Sequence, residues 1–276
     1  MKLKYYGTAA AEGIPALYCS CDVCKYSKKA GGRNIRTRSQ ALLNDSLLID
    51  ICPDTLYHYH VLGLPLETIE YALITHKHAD HLDTPTITMR SKGFVTHDLP
   101  RLNIYGSMPT IDLIFDELRK NGRNNDERWN LYEIAPFETK TIDSFCVTPY
   151  KANHAFNTYP YIYDISDGEK RMLYAHDSGF FLDETWHYLE NFTPFFNLVS
   201  LDCTMGIADS AGHFHMNIPD CERVKSRLID IGCADKDTIF VLNHFSHNGH
   251  ISYDALSEIA DSKGFTVSYD GLEIIF

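Results

Sequence analysis

Apolar runs of strand length recur along the whole chain, at 2–6, 41–51, 71–75, 102–105, 145–149, 159–165, 171–174, 198–201, 238–242 and 265–268. Most are short and rich in β-branched or aromatic residues, the signature of strands. Helical patterns separate several of them, at 54–62, 84–91, 110–121, 219–231 and 252–263. In the fourth, Pro219 stands near the first turn, Val224, Leu228 and Ile231 share a face, and Gly232 ends the pattern. Strands dominate the first and middle parts while helices come at wide intervals, which predicts an α/β sandwich over a doubly wound sheet. No linker rich in Pro, Gly or Ser divides the chain, and no repeat with a period of about 20–50 residues is evident, so a single domain over 1–276 is expected. The polar segment 121–128, NGRNNDER, reads as a mobile surface loop.

Composition narrows the function classes. With 276 residues, 44% hydrophobic and 22% charged, the chain has the make-up of an ordinary globular protein. Lys and Arg total 25 against 37 Asp and Glu, a net charge of −12, so attraction to nucleic acid or an anionic membrane is not expected to drive binding. A small substrate is the better expectation. The N-terminal MKLKYYGTAAAEGIP lacks an apolar signal core and no uninterrupted apolar stretch has the length of a membrane span, so a cytoplasmic protein is expected.

The most informative stretch is YALITHKHADHLD, in which an apolar strand runs into His76, His78, Asp80 and His81. Residues two apart at a strand end can project toward one point, and the Asp-His pair can turn a second set of ligands toward a neighbouring one. Imidazole and carboxylate suit zinc, manganese or iron alike. A second cluster, YCSCDVC, places Cys19, Cys21 and Cys24 at intervals of two and three. Three thiolates so close call for a cation, and a tetrahedral zinc accepts three thiolates and one imidazole. His247 is the expected fourth ligand, clipping the N-terminal loop to the loop after 242. The remaining cysteines, Cys52, Cys146, Cys203, Cys221 and Cys233, read as small hydrophobes.

The motif His76-Lys77-His78-Ala79-Asp80-His81 resembles the signature of the metallo-β-lactamase superfamily. That resemblance implies an αββα sandwich with a binuclear metal site at one edge of its two sheets. It implies further ligands after later strands, matched by His154 in YKANHAF, Asp177 in YAHDSG and His244 in VLNHFSH. One ion would then be held by His76, His78 and His154, the other by Asp80, His81 and His244, with Asp177 bridging and Asp80 also counted among the catalytic groups. Zinc or manganese would fill the pair, with iron and nickel open, besides the structural zinc. Such a pair activates a hydroxide for attack at phosphorus or carbonyl carbon. His176 should point away from the site if the strand continues through it.

The knuckle beside this core is similar to that of PhnP-type phosphodiesterases, which open a cyclic ribose phosphate, and of PqqB-like proteins. That likeness implies hydrolysis of a small phosphodiester. The alternatives are a carboxyl-type hydrolase acting on a lactone, lactam or thioester, and a non-catalytic carrier. In phosphodiesterase members a histidine between the bridging Asp and the last ligand assists the leaving oxygen, and His213 and His215 are the candidates, His213 first. The basic stretch from Lys25 to Arg38 could hold a substrate phosphate or be a solvated face. No extended tRNA-gripping insertion of the ribonuclease Z kind is evident, and His78 stands where a flavodiiron enzyme would carry a carboxylate. The resemblance leaves a homodimer open.

Overall fold

A computed structural model of the chain describes residues 1–123, 127–210 and 214–276. The first half of the chain supplies β1 (Lys2–Gly7), β2 (Gln40–Leu43), β3 (Leu47–Ile49), β4 (Tyr71–Leu73), β5 (Leu102–Gly106) and β6 (Trp129–Glu133). The second half supplies β7 (Lys140–Ile142), β8 (Phe145–Lys151), β9 (Tyr161–Ser166), β10 (Arg171–Ala175), β11 (Leu198–Asp202), β12 (Ile239–Asn243) and β13 (Thr266–Val267). The last strand, β14 (Glu273–Ile275), returns to pair with β1. The helices are α1 (Asp22–Ala30), α2 (Thr55–Leu62), α3 (Thr84–Thr88), α4 (Met108–Lys120), α5 (Asp183–Phe192), α6 (Ile218–Asp230) and α7 (Tyr253–Ser262).

Two seven-stranded sheets result, ordered β14-β1-β2-β3-β4-β5-β6 and β13-β12-β11-β10-β9-β8-β7. Pairing in the first is antiparallel as far as β3 and parallel from β3 to β6. In the second it is antiparallel from β7 to β10 and parallel from there to β13. Each half is thus an antiparallel meander followed by three crossovers, β3-α2-β4-α3-β5-α4-β6 and β10-α5-β11-α6-β12-α7-β13. This duplication spans half the chain, far longer than a repeat with a period of about 20–50 residues.

Strand alternation sets the layers. In β2 and β3, Ala41, Leu43, Leu47 and Ile49 join Phe145, Val147, Tyr163, Met172 and Tyr174 between the sheets, while Leu42 and Leu48 face the other way, onto Ile87 of α3 and Ile114 and Leu118 of α4. The outer face of the second sheet packs against Trp186 and Leu189 of α5, Val224 and Leu228 of α6, and Leu256 and Ala260 of α7. Helices therefore cover the outer face of each of two stacked sheets, the expected αββα order.

Two local expectations need correction. The run at 41–51 is a hairpin, because Asn44 and Asp45 both adopt left-handed backbone (φ 46° and 56°), a turn these two residue types tolerate. Cys146 is exposed on β8, so its small-hydrophobe reading fails; Cys52, Cys203, Cys221 and Cys233 are buried as expected. In the segment 121–128, residues 124–126 lie outside those described.

Candidate metal centre

Every residue of the site sits where a strand ends. His76, His78, Asp80 and His81 follow β4, His154 follows β8, Asp177 follows β10 and His244 follows β12. The carboxyl ends of parallel strands are the place where such sheets open a crevice. Asp177 and His244 hold left-handed backbone (φ 48° and 61°), as does Asp50 after β3 (φ 64°). A non-glycine residue in that region is held there by its surroundings, and the turn swings each side chain out of the strand direction.

The side chains converge in two sets that share one carboxylate. His76, His78, His154 and Asp177 offer donor atoms all within 4.8 Å of one another, and so do Asp80, His81, Asp177 and His244. His78 Nδ1 lies 2.8 Å from His76 Nε2 and 3.2 Å from His154 Nε2. His81 Nε2 lies 3.2 Å from His244 Nε2, 2.7 Å from Asp177 Oδ2 and 3.3 Å from Asp80 Oδ2. Asp177 Oδ2 is also 3.3 Å from His76 Nε2, so this carboxylate stands between the sets. Such crowding of imidazole nitrogens, which would otherwise face each other lone pair to lone pair, fits a divalent cation in each set.

The opposite ring edges are held as well. His81 Nδ1 meets Asp50 Oδ2 at 2.7 Å, and Asp50 accepts from the Thr75 amide at 2.8 Å. His76 Nδ1 is 3.1 Å from Thr75 Oγ1, and His244 Nδ1 is 2.9 Å from Thr204 Oγ1. Partners of this kind fix the tautomer and aim the other nitrogen at the metal. His176 points away, as expected, to Ser200 Oγ at 2.7 Å and Asn243 Nδ2 at 3.1 Å.

Charge divides the ligands: against the opposing effect of burial, neighbouring carboxylates push His81 and His244 up, so that binding a cation there would release their protons. Burial alone would raise the Asp177 carboxyl, but the charges of His244 and His81 prevail and hold it well below the usual carboxylate range. Burial, reinforced by His81, keeps His76 well below the ordinary histidine value, and burial lowers His154 too, which leaves both neutral and able to ligate.

His215 lies at the edge of this centre and is only part-buried; its Nδ1 is 3.0 Å from Asp202 Oδ2 and 3.4 Å from Asp177 Oδ1. Burial opposes its protonation, yet Asp202 and then Asp177 push it up to about 9. His213 lies outside the described residues. Asp202, Asp50, Thr75 and Thr204 were not anticipated. The signal for the acids was available, since each is a carboxylate directly after or ending an apolar strand run, LLID and LVSLD.

The knuckle forms too. Cys19, Cys21, Cys24 and His247 bring their donor atoms within 4.8 Å of one another, and both Cys19 Sγ and Cys21 Sγ are 3.5 Å from His247 Nδ1. Backbone amides of Ala16, Cys21 and Cys24 point at the sulfurs, at 3.3, 3.5 and 3.5 Å, and would stabilise negative charge on them. Glu12 lies 3.5 Å from His247 Nε2. The basic stretch divides: Lys25, Lys28 and Lys29 are exposed on α1, whereas the arginines are committed to the fold. Arg36 is buried against the Phe245 ring and donates to Thr8 and Ser268, Arg38 pairs with Asp54 at 3.0 Å, and Arg33 stacks on Tyr269.

Solved structures of similar fold include a diphosphatase of the PhnP family (TM-score 0.74, 18% identity, covering 100% of this chain and 97% of that one). Zinc-bound PqqB from Methylobacterium extorquens is similar at TM-score 0.75 and 18% identity, with both chains covered in full, 100% each. An octanoyltransferase of Porphyromonas gingivalis is 25% identical over 166 residues, which are 56% of this chain and 31% of that protein, so the chain spans about a third of that relative's length. The family model described as a beta-lactamase superfamily domain matches residues 46–245. That segment begins just ahead of Asp50 and ends just past His244, enclosing every His and Asp of the double cluster while leaving Cys19, Cys21, Cys24 and His247 outside, and by this match the chain belongs to the beta-lactamase superfamily.

Proposed function

We propose that the chain is a metal-dependent hydrolase that cleaves a small phosphodiester. The observation that carries this reading is the shared position of Asp177 between two donor sets that are buried except for His78 and Asp80, which with His215 are part-exposed. His76, His78 and His154 would hold one ion, Asp80, His81 and His244 the other, and Asp177 both; zinc or manganese suits these donors. Divalent ions there supply positive charge that polarises a phosphoryl oxygen and lowers the pKa of water. The protein's own part is to place the ligands, to exclude water behind them, and to move a proton. His215, with Nδ1 on Asp202, turns Nε2 free to protonate the departing oxygen. The fold likeness to a PhnP-family diphosphatase supports phosphorus as the centre attacked. Three thiolates and His247 would hold a separate structural zinc.

Steady-state hydrolysis of bis(p-nitrophenyl) phosphate by protein loaded separately with Mn2+ and Zn2+ tests the reading. Turnover is expected with one of them, and His78→Ala should lower it by about 100-fold or more, since even partners of metal ligands are worth about 10–100-fold. Absence of turnover by protein shown to be metal-loaded would overturn it in favour of carboxyl esters. The fold is as close to PqqB as to the diphosphatase, and a non-catalytic binding role is the second reading, which absence of turnover on carboxyl esters as well as on the diester would favour.

A further inference from the structure

A cavity of about 610 Å3 lies beside the metal centre, between Ser107 and Met108 after β5 and the strap from Lys151 to Tyr161. This strap carries His154. Ala152 and Phe156 line the cavity two residues to either side of it, and the Tyr161 amide donates to the carbonyl of Thr75, the residue before His76. The cavity and the centre therefore share a wall.

Its lining is apolar where water would ordinarily demand polarity. Met108, Phe156 and Tyr159 line it although 45%, 59% and 60% of their surfaces are exposed. A short 3-10 turn, Phe156–Thr158, presents the first ring, and Tyr159 follows in left-handed backbone (φ 48°). A tyrosine in that conformation is rare, and held strain of this kind gathers at ligand clamps. Phe156 meets Phe214 edge to face at 5.7 Å, and the Phe214 carbonyl is 3.4 Å from His154 Nδ1, so an aromatic row leads from the cavity to the first donor set. Polar groups at the rim are few: Glu133, and Lys151 paired with Glu184 at 2.9 Å; Ser107 lines the wall, buried, with its hydroxyl 3.0 Å from Thr110 Oγ1. An apolar pocket of this size with a few convergent polar groups has the make-up of a small-molecule subsite.

We infer that this cavity is a subsite for a nucleobase on one ester arm of the substrate, stacked on Phe156 and Tyr159, with its edge hydrogen-bonded by the rim groups. A base offers two aromatic faces and a polar edge, and stacking tolerates any base. The inference rests on the phosphodiesterase reading and refines its substrate class.

The test compares kcat/KM for thymidine 5′-(p-nitrophenyl phosphate) with that for methyl p-nitrophenyl phosphate, in the metal-loaded protein and in the Phe156→Ala/Tyr159→Asn variant. Asn is chosen because it tolerates the left-handed backbone. The preference for the nucleoside ester should fall about tenfold in the variant, the loss of a base stacking partner, and Phe156→Trp should keep it. An unchanged preference would overturn the subsite. Adenosine binding followed by saturation-transfer NMR needs no turnover: if neither ester is cleaved, the phosphodiesterase reading fails, and binding that the double variant loses still upholds the cavity. With no cleavage, absence of adenosine binding to the loaded wild-type protein sinks it.

Discussion

At the scale of single residues, His215 is where position and chemistry are most closely tied. Its Nδ1 is anchored on Asp202, itself fully buried and bonded by the amides of Thr204 and Met216. Removing the ring should hurt most where the departing oxygen most needs a proton. His215→Ala is therefore expected to slow cleavage of an alkyl phosphodiester by about 100-fold or more, within the usual range for general acids, but to slow a p-nitrophenyl ester far less, because p-nitrophenolate leaves unaided. Rates measured across esters of graded leaving-group basicity check this; equal losses on all of them would assign His215 to structure. The metal-facing residues were legible because histidine and aspartate were clustered or followed apolar runs. Asp50 and Asp202 were not singled out, since a lone acid at a strand end is commonplace until the fold shows that His81 and His215 lie against it.

Among the elements, those with strong periodicity and punctuation were legible, and those masked by another signal were not. The patterns at 219–231 and 252–263 correspond to α6 (Ile218–Asp230) and α7 (Tyr253–Ser262), each begun by a side-chain cap, Asn217 and Ser252. Helix α1 went unread because its sequence, DVCKYSKKA, was taken up by the cysteine spacing and the basic run, although Asp22 in its first turn and Lys28 and Lys29 in its last suit the helix dipole. Helix α5 has only Thr185, Trp186 and Leu189 buried, too few apolar positions to stand out. The knuckle joins α1 to the loop that bears His244: the thiol of Cys21 caps the helix by accepting from the Cys24 amide, and Ala10 and Phe245 are bonded through their backbones. Cys21→Ser should therefore remove one zinc per chain by elemental analysis. It should also cut diester turnover by about 10-fold or more through loosening of the His244 loop, in the range of second-sphere effects. Unchanged zinc content would show that the four donors hold no ion.

For the whole molecule, the decisive fact is how the donors are shared between the two like halves. His76, His78, Asp80 and His81 come from the first sheet's crossovers, while Asp177 and His244 come from the second's and His154 from its antiparallel β8–β9 connection, and the knuckle likewise joins Cys19, Cys21 and Cys24 to His247. Each ion would consequently tie the halves together, and binding to the folded state alone stabilises it. At free metal about 100 times Kd this contributes about 2.7 kcal/mol. With a melting shift of about 2–4 °C per kcal/mol for chains near this length, each ion removed by chelation should lower Tm by about 5–10 °C; Zn2+ should restore all of the loss and Mn2+ only the part due to the double cluster. The two kinds of site separate by variant: Cys21→Ser abolishes the knuckle's share but leaves the shift due to the double cluster, whereas His78→Ala diminishes the latter. Differential scanning calorimetry on protein whose metal loss is verified checks this. A Tm unmoved by verified metal loss would mean that the fourteen-stranded sandwich holds its buried imidazoles and carboxylates by their mutual hydrogen bonds alone.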